Sequence, residues 1–137
     1  MGTRIRPNIS EKNKYWIEKH RYYELKHFCL QYPIWRRAYL ALNSFDNKTY
    51  ITLTPTIAYG DPTAKRAISQ LYYSERIDMI ERVAKETDNE LWNYILIGII
   101  EQRSYDNIKA RLDIPCSRET YYDRYRRFFW LLDKERQ

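Results

Sequence analysis

The stretch LWNYILIGIIEQ, Leu91 to Gln102, is apolar nearly all round at helical spacing. A helix of that kind aggregates if it lies on a surface, so it must form the buried centre of whatever its neighbours build. Its uninterrupted apolar run, Tyr94 to Ile100, is far shorter than the roughly 20 residues that cross a bilayer, and no apolar signal core stands at the amino terminus. A soluble, intracellular protein with no membrane partner is expected.

The flanking sequence supplies the cover. Asp61-Pro62 is an N-cap acceptor followed by proline at the first helical position, and it opens a long central helix running to about Glu86. Ile68, Leu71, Tyr73, Ile77, Ile80 and Ala84 give this helix a shifting apolar stripe. Tyr73, Ile77 and Ile80 are the expected contact for a second copy, making a homodimer one expected partner. Thr87-Asp88-Asn89-Glu90 has the spacing of a capping box, with Thr87 as cap and Glu90 reaching back.

Towards the amino terminus, residues 1 to 9 with Arg4, Arg6 and Pro7 read as a flexible basic arm. Ser10 is placed to cap a helix with Tyr15, Tyr22, Leu25 and Cys29 on one face, ending near Tyr32 because the residue before proline is pushed out of helical geometry. Pro33 suits the first turn of a second helix, whose Trp35, Tyr39 and Leu42 are expected to pack back on the first. Between Asn43 and Gly60 the Thr, Asn and Asp content fits a linker or a short β-hairpin. Two domains follow from this reading: residues 1–60, a helical hairpin with linker, and residues 61–137, the central helix with what comes after it.

At 137 residues with only three glycines the chain can bury a real core. The net charge of +6 is uneven: +6 over residues 1–48, −3 over 49–101 and +3 over 102–137. Basic ends around an acidic middle suit phosphate contacts and steering toward a polyanion, though other basic proteins share such balances. Cys29 and Cys116 lie too far apart in sequence, with no CxxC spacing, to suggest a zinc site or disulfide framework. His20, His27 and Cys29 lack a fourth ligand. No catalytic constellation or glycine-rich phosphate loop is present, so neither enzymatic activity nor a cofactor or metal is expected.

The segment SYDNIKARLDIPCSRETYYDRYRRFFWLLDKE parses into two helices and a short break. Ser104 caps the first, with Ile108 and Leu112 inward; Pro115 interrupts the ladder, Ile114 plugs the core, and Ser117 caps the second helix. That is the grammar of a helix-turn-helix. In the last helix Tyr121, Tyr125, Phe128 and Leu132 form an inward stripe, leaving Glu119, Thr120, Asp123, Arg126 and Arg127 on the other side. In a major groove, Arg118 and Arg124 would meet phosphates, and Thr120, Asp123, Arg126 or Arg127 would reach base edges. The acids Glu119 and Asp123 repel phosphates, so they suit cytosine amino groups or the orienting of an arginine. Tyr122 can bond a phosphate or stack on a neighbouring helix. The plainer reading is a surface helix whose arginines are solvated or paired with Asp123, Glu119 and Asp133.

Taken in order, Tyr32-Pro33-Ile34-Trp35, Asp61-Pro62-Thr63-Ala64-Lys65-Arg66-Ala67-Ile68 and Ile114-Pro115-Cys116-Ser117-Arg118-Glu119-Thr120-Tyr121-Tyr122 span most of the chain. This ordered set resembles the bacteriophage late-gene transcriptional regulators of the RinA and ArpU type, from phages of Gram-positive bacteria. The resemblance implies an all-α activator of a phage late operon, working in the bacterial cytoplasm on double-stranded DNA and alongside host RNA polymerase. It also implies a carboxy-terminal helix-turn-helix similar to the promoter-reading region of sigma factors, with Ser117 to Arg127 as recognition helix. A small terminase subunit and a helical adaptor that binds polymerase without touching DNA are the alternatives.

Overall fold

The computed structural model describes residues 11–43 and 61–137. The basic arm at residues 1–9, the Ser10 cap and the linker or hairpin at 44–60 lie outside the described residues. Every regular element among the described residues is a helix: α1 (Lys19–Leu30), α2 (Tyr32–Asn43), α3 (Pro62–Thr87), α4 (Trp92–Ile100), α5 (Tyr105–Leu112) and α6 (Arg118–Glu135). The all-α class, the amino-terminal helical pair, the long central helix and the terminal helix-turn-helix are all present. None of these helices is long and apolar enough to cross a membrane.

By compactness, residues 11–31 with 79–137 form one unit and residues 32–43 with 61–78 a second. The first unit is built on α6. Helices α1, α4 and α5 each pack against it, and α4 also touches α1 and α5. Tyr121, Tyr125, Phe128, Phe129 and Leu132 are its buried stripe, each no more than 3% exposed. Burying large aromatic side chains of this kind is the main stabilising term of so small a core.

Helix α1 starts later than Ser10 would place it. Glu18 is extended, and its carboxylate accepts the backbone N–H groups of His20 at 2.8 Å and Arg21 at 3.2 Å. An acid at a helix start satisfies free donors and complements the helix dipole, so Glu18 is the cap of α1. Tyr15 and Ile17, ahead of the helix, are nevertheless buried, with Tyr15 against Trp130 at 5.5 Å between ring centroids. On α1 itself the Tyr22 hydroxyl meets the Tyr125 hydroxyl at 2.9 Å inside the core. Arg21 Nε donates to Asp133 Oδ1 at 2.6 Å, and the Arg136 guanidinium stacks on Phe28 at 3.6 Å.

The expected capping box is replaced by a neighbouring arrangement. The Thr87 hydroxyl donates to the Val83 carbonyl at 2.8 Å, one turn back, which makes it the end of α3. Asp88 is the acceptor instead: its Oδ1 takes the N–H groups of Glu90 and Leu91, both at 2.8 Å. The shorter side chain reaches donors two and three residues on, so the reach of Glu90 is not used.

The apolar stripe expected along α3 divides between two environments. Ile80 and Ala84 are fully buried, Tyr73 and Ile77 are half-buried, and Ile68 and Leu71 are exposed. Ile80 is therefore removed as a contact for a second copy by its place in the core.

Helix α4 is the buried helix that its composition demands, with Ile95 and Ile99 at most 1% exposed. Gly98 faces α6, and a Cβ there would collide with the Tyr121 hydroxyl and crowd Ile108. Gly98→Ala is expected to cost about 1–3 kcal/mol through overpacking, measured by urea denaturation. Burial pushes the Tyr22 hydroxyl up to about 12 from its ordinary 10.0, and burial also raises Tyr125 well above that ordinary value. An acid whose folded pKa is raised contributes stability that is whole below the unfolded value and lost above it. The unfolding midpoint is expected to fall between about pH 10 and 12, less steeply in a Tyr22→Phe variant.

Candidate nucleic-acid interface

Helix α5 begins at Ser104, whose side chain accepts the Asn107 N–H at 3.3 Å. It ends at Asp113, which adopts the left-handed conformation at φ 50°, ψ 52° while its N–H bonds the Lys109 carbonyl at 3.0 Å. Short polar side chains tolerate that conformation better than most. The reversal carries Ile114 into the core, 0% exposed, and Leu112 is left 40% exposed. The inward position expected for Leu112 is thus corrected: Ile114 makes the core contact at this end.

The turn is pinned from both sides. The Tyr105 hydroxyl donates to the Cys116 carbonyl, and the Lys109 ammonium donates to the Ile114 carbonyl at 3.2 Å. Ser117 is extended, and its Oγ accepts the Thr120 N–H at 3.2 Å, starting α6 where the sequence places the cap. The Tyr122 hydroxyl accepts the Tyr105 N–H at 3.1 Å, tying the first turn of α6 to that of α5.

The nine expected site residues, Ser117, Arg118, Glu119, Thr120, Tyr122, Asp123, Arg124, Arg126 and Arg127, fall into three groups. Ser117, Arg118, Glu119 and Thr120 form the exposed front turn. Arg118 pairs with Asp106 of α5, a hydrogen bond that raises its pKa. Both partners are well exposed, at 60% and 69%, so the pair contributes little and a phosphate can displace the carboxylate.

Tyr122, Asp123 and Arg124 act within the fold. Arg124 Nε donates to Asp88 Oδ2 at 3.1 Å and its Nη1 to Asp123 Oδ2 at 2.6 Å, so α6 is clamped to the turn that precedes α4. Asp123 is thereby an acid that orients an arginine. Burial alone would raise the Asp88 carboxyl. The bonds from Leu91, Glu90 and Arg124 outweigh it and hold the group below its usual range.

Arg126 and Arg127 differ from the others. Each buries its Nε with no hydrogen-bond partner, and neither has a carboxylate partner among the described residues. Consecutive side chains diverge by about 100° around a helix, and the two arginines separate accordingly. Arg127 lines a cleft of about 550 Å³ with Arg124 and residues 85–90, whereas Arg126 stands outside it.

Asp88 and Asp106, the partners that hold Arg124 and Arg118, carry no role in the sequence reading. Asp88 has a local signal, an acid two residues before a free N–H; Asp106 has none beyond lying in the first turn of α5. Cys29 is fully buried while His20 and His27 are exposed, and the described residues contain no group of three or more His, Cys, Asp or Glu able to hold a metal. No protein family, curated protein or solved structure matches the chain at a significant level.

Asp88→Ala removes acceptors for two backbone N–H groups and for Arg124 together. A loss of about 1–2 kcal/mol, the scale of a helix cap, is expected in chemical denaturation, with Arg124→Ala adding less in the Asp88→Ala background than alone.

Proposed function

We propose that the chain is a double-stranded DNA-binding transcriptional regulator of phage late genes, acting as an activator beside host RNA polymerase, with α6 laid in the major groove. The observation that carries the reading is the arrangement of α5 and α6. A short capped helix, a turn plugged by Ile114 and a longer capped helix present Arg118, Glu119 and Thr120 on an exposed first turn, with the aromatic back of α6 buried. Phosphates are met by side chains whose present partners are weak or missing, which are Arg118 on the front turn and Arg126 and Arg127 further along. Thr120 and an arginine supply the hydrogen-bonding groups that read base edges. Glu119 lies in the first turn, where a carboxylate complements the helix dipole, and can accept from a cytosine amino group.

The test is binding of a selected duplex by fluorescence anisotropy across a salt series. Arg126→Ala with Arg127→Ala is expected to weaken binding and to flatten the salt slope by about one unit for each phosphate that is no longer neutralised. Thr120→Ala is expected to relax sequence preference with the salt slope unchanged. Unchanged affinity and slope in the double-arginine variant would refute the assignment.

A further inference from the structure

Among the described residues of the unit 32–43 and 61–78, α3 is tied to α2 along one side. Arg66 Nε donates to the Leu42 carbonyl at 2.9 Å, and Gln70 Nε2 donates to Asn43 Oδ1 at 2.7 Å. Arg66, Gln70, Tyr73 and Ile77 recur at helical spacing along that side and are all half-buried. The opposite side presents Ala64, Ala67, Ile68, Leu71, Tyr72 and Glu75, every one exposed. Ile68 is 68%, Leu71 57% and Tyr72 46% exposed, a contiguous apolar strip rather than scattered surface residues.

We infer that this strip is an interface between two copies of the chain, with α3 packed antiparallel on α3 across a two-fold axis. A two-fold contact must be self-complementary, and this strip is so in both shape and charge. Placing Ile68 opposite Leu71 of the second copy puts Ala67 opposite Tyr72, so the smallest side chain receives the largest, and the same happens again in the other half. Arg76 lies over the Tyr72 ring at 3.5 Å, which holds the ring before docking and lowers the ordering cost. The same register leaves Lys65 one residue short of lying opposite Glu75 of the second copy, within reach of a lysine side chain. Neither Lys65 nor Glu75 has an ion-pair partner among the described residues. A parallel arrangement would instead set lysine against lysine and glutamate against glutamate.

From Ala64 to Glu75 the strip is about 17 Å long, and it covers less than the ~800 Å² per partner of a standard interface. A reversible, concentration-dependent dimer is expected. The α3 strip stands as an interface whether or not α6 binds DNA.

Sedimentation equilibrium of the full chain over a concentration series tests it. The wild type is expected to show a monomer–dimer equilibrium, and Leu71→Asp to weaken it by about tenfold or more by removing apolar burial in both copies, with unchanged circular dichroism. Lys65→Glu and Glu75→Lys are each expected to weaken it several-fold, and the double exchange to restore it, because the charges are swapped on both sides. A wild type that stays monomeric, its strip then serving another protein, would overturn the inference, as would a dimer indifferent to Leu71→Asp. Failure of the double exchange to restore association would overturn the antiparallel register.

Discussion

The hydroxyl of Tyr121 occupies the room that a side chain at residue 98 would take. That close approach of α4 to α6, available only because residue 98 is glycine, sets the position of the terminal helix. The remaining contacts continue along the same stripe: Tyr105 against Tyr121, Tyr22 bonded to Tyr125, and Tyr22 against Phe129 at 4.9 Å. The Tyr121 hydroxyl is buried there without a hydrogen-bond partner. Such a group costs about 1–3 kcal/mol, which the burial of the ring offsets. Because the back of α6 is gripped from its first turn to its last, its front can be polar without loosening the fold.

The two acids among the outward arginines of α6 acquire separate physical accounts. Asp123 holds Arg124 against Asp88, so it belongs to the clamp between α6 and the turn before α4. Glu119 is in the first turn, where the helix dipole favours negative charge. Arg118 and Arg124 each hold a carboxylate of the protein, whereas Arg126 and Arg127 are arginines of α6 without one among the described residues. Their divergence around the helix sends one towards the cleft at residues 85–90 and the other away from it.

The parts of this structure legible in the sequence are those governed by local rules. Ser104 and Ser117 cap where their spacing to the first helical residues says they should, Ile114 fills the core, and Tyr121, Tyr125, Phe128 and Leu132 are buried at intervals of four, three and four. Asp61 accepts the Thr63 N–H at 3.0 Å ahead of Pro62, as an N-cap with proline at the first position requires. Where competing caps are adjacent the pattern is ambiguous, as between Thr87 and Asp88. Leu112 is exposed because a single left-handed residue, Asp113, redirects the chain, and periodicity is blind to that. Pairs such as Arg124 with Asp88, 36 residues apart, depend on tertiary packing and have no signature in a single sequence. The stripe of α3 mixes core and surface because a period of apolar residues does not say which part of a long helix is covered.

The central claim is that the front of α6 is the DNA-facing surface. Its most direct test is a titration of isotopically labelled protein with duplex DNA, following backbone amide shifts by nuclear magnetic resonance. The largest changes are expected at residues 117–120 and at Arg126 and Arg127, with the core amides of α4 unmoved. Changes confined to residues 64–75 of α3, or none at saturating DNA, would contradict it.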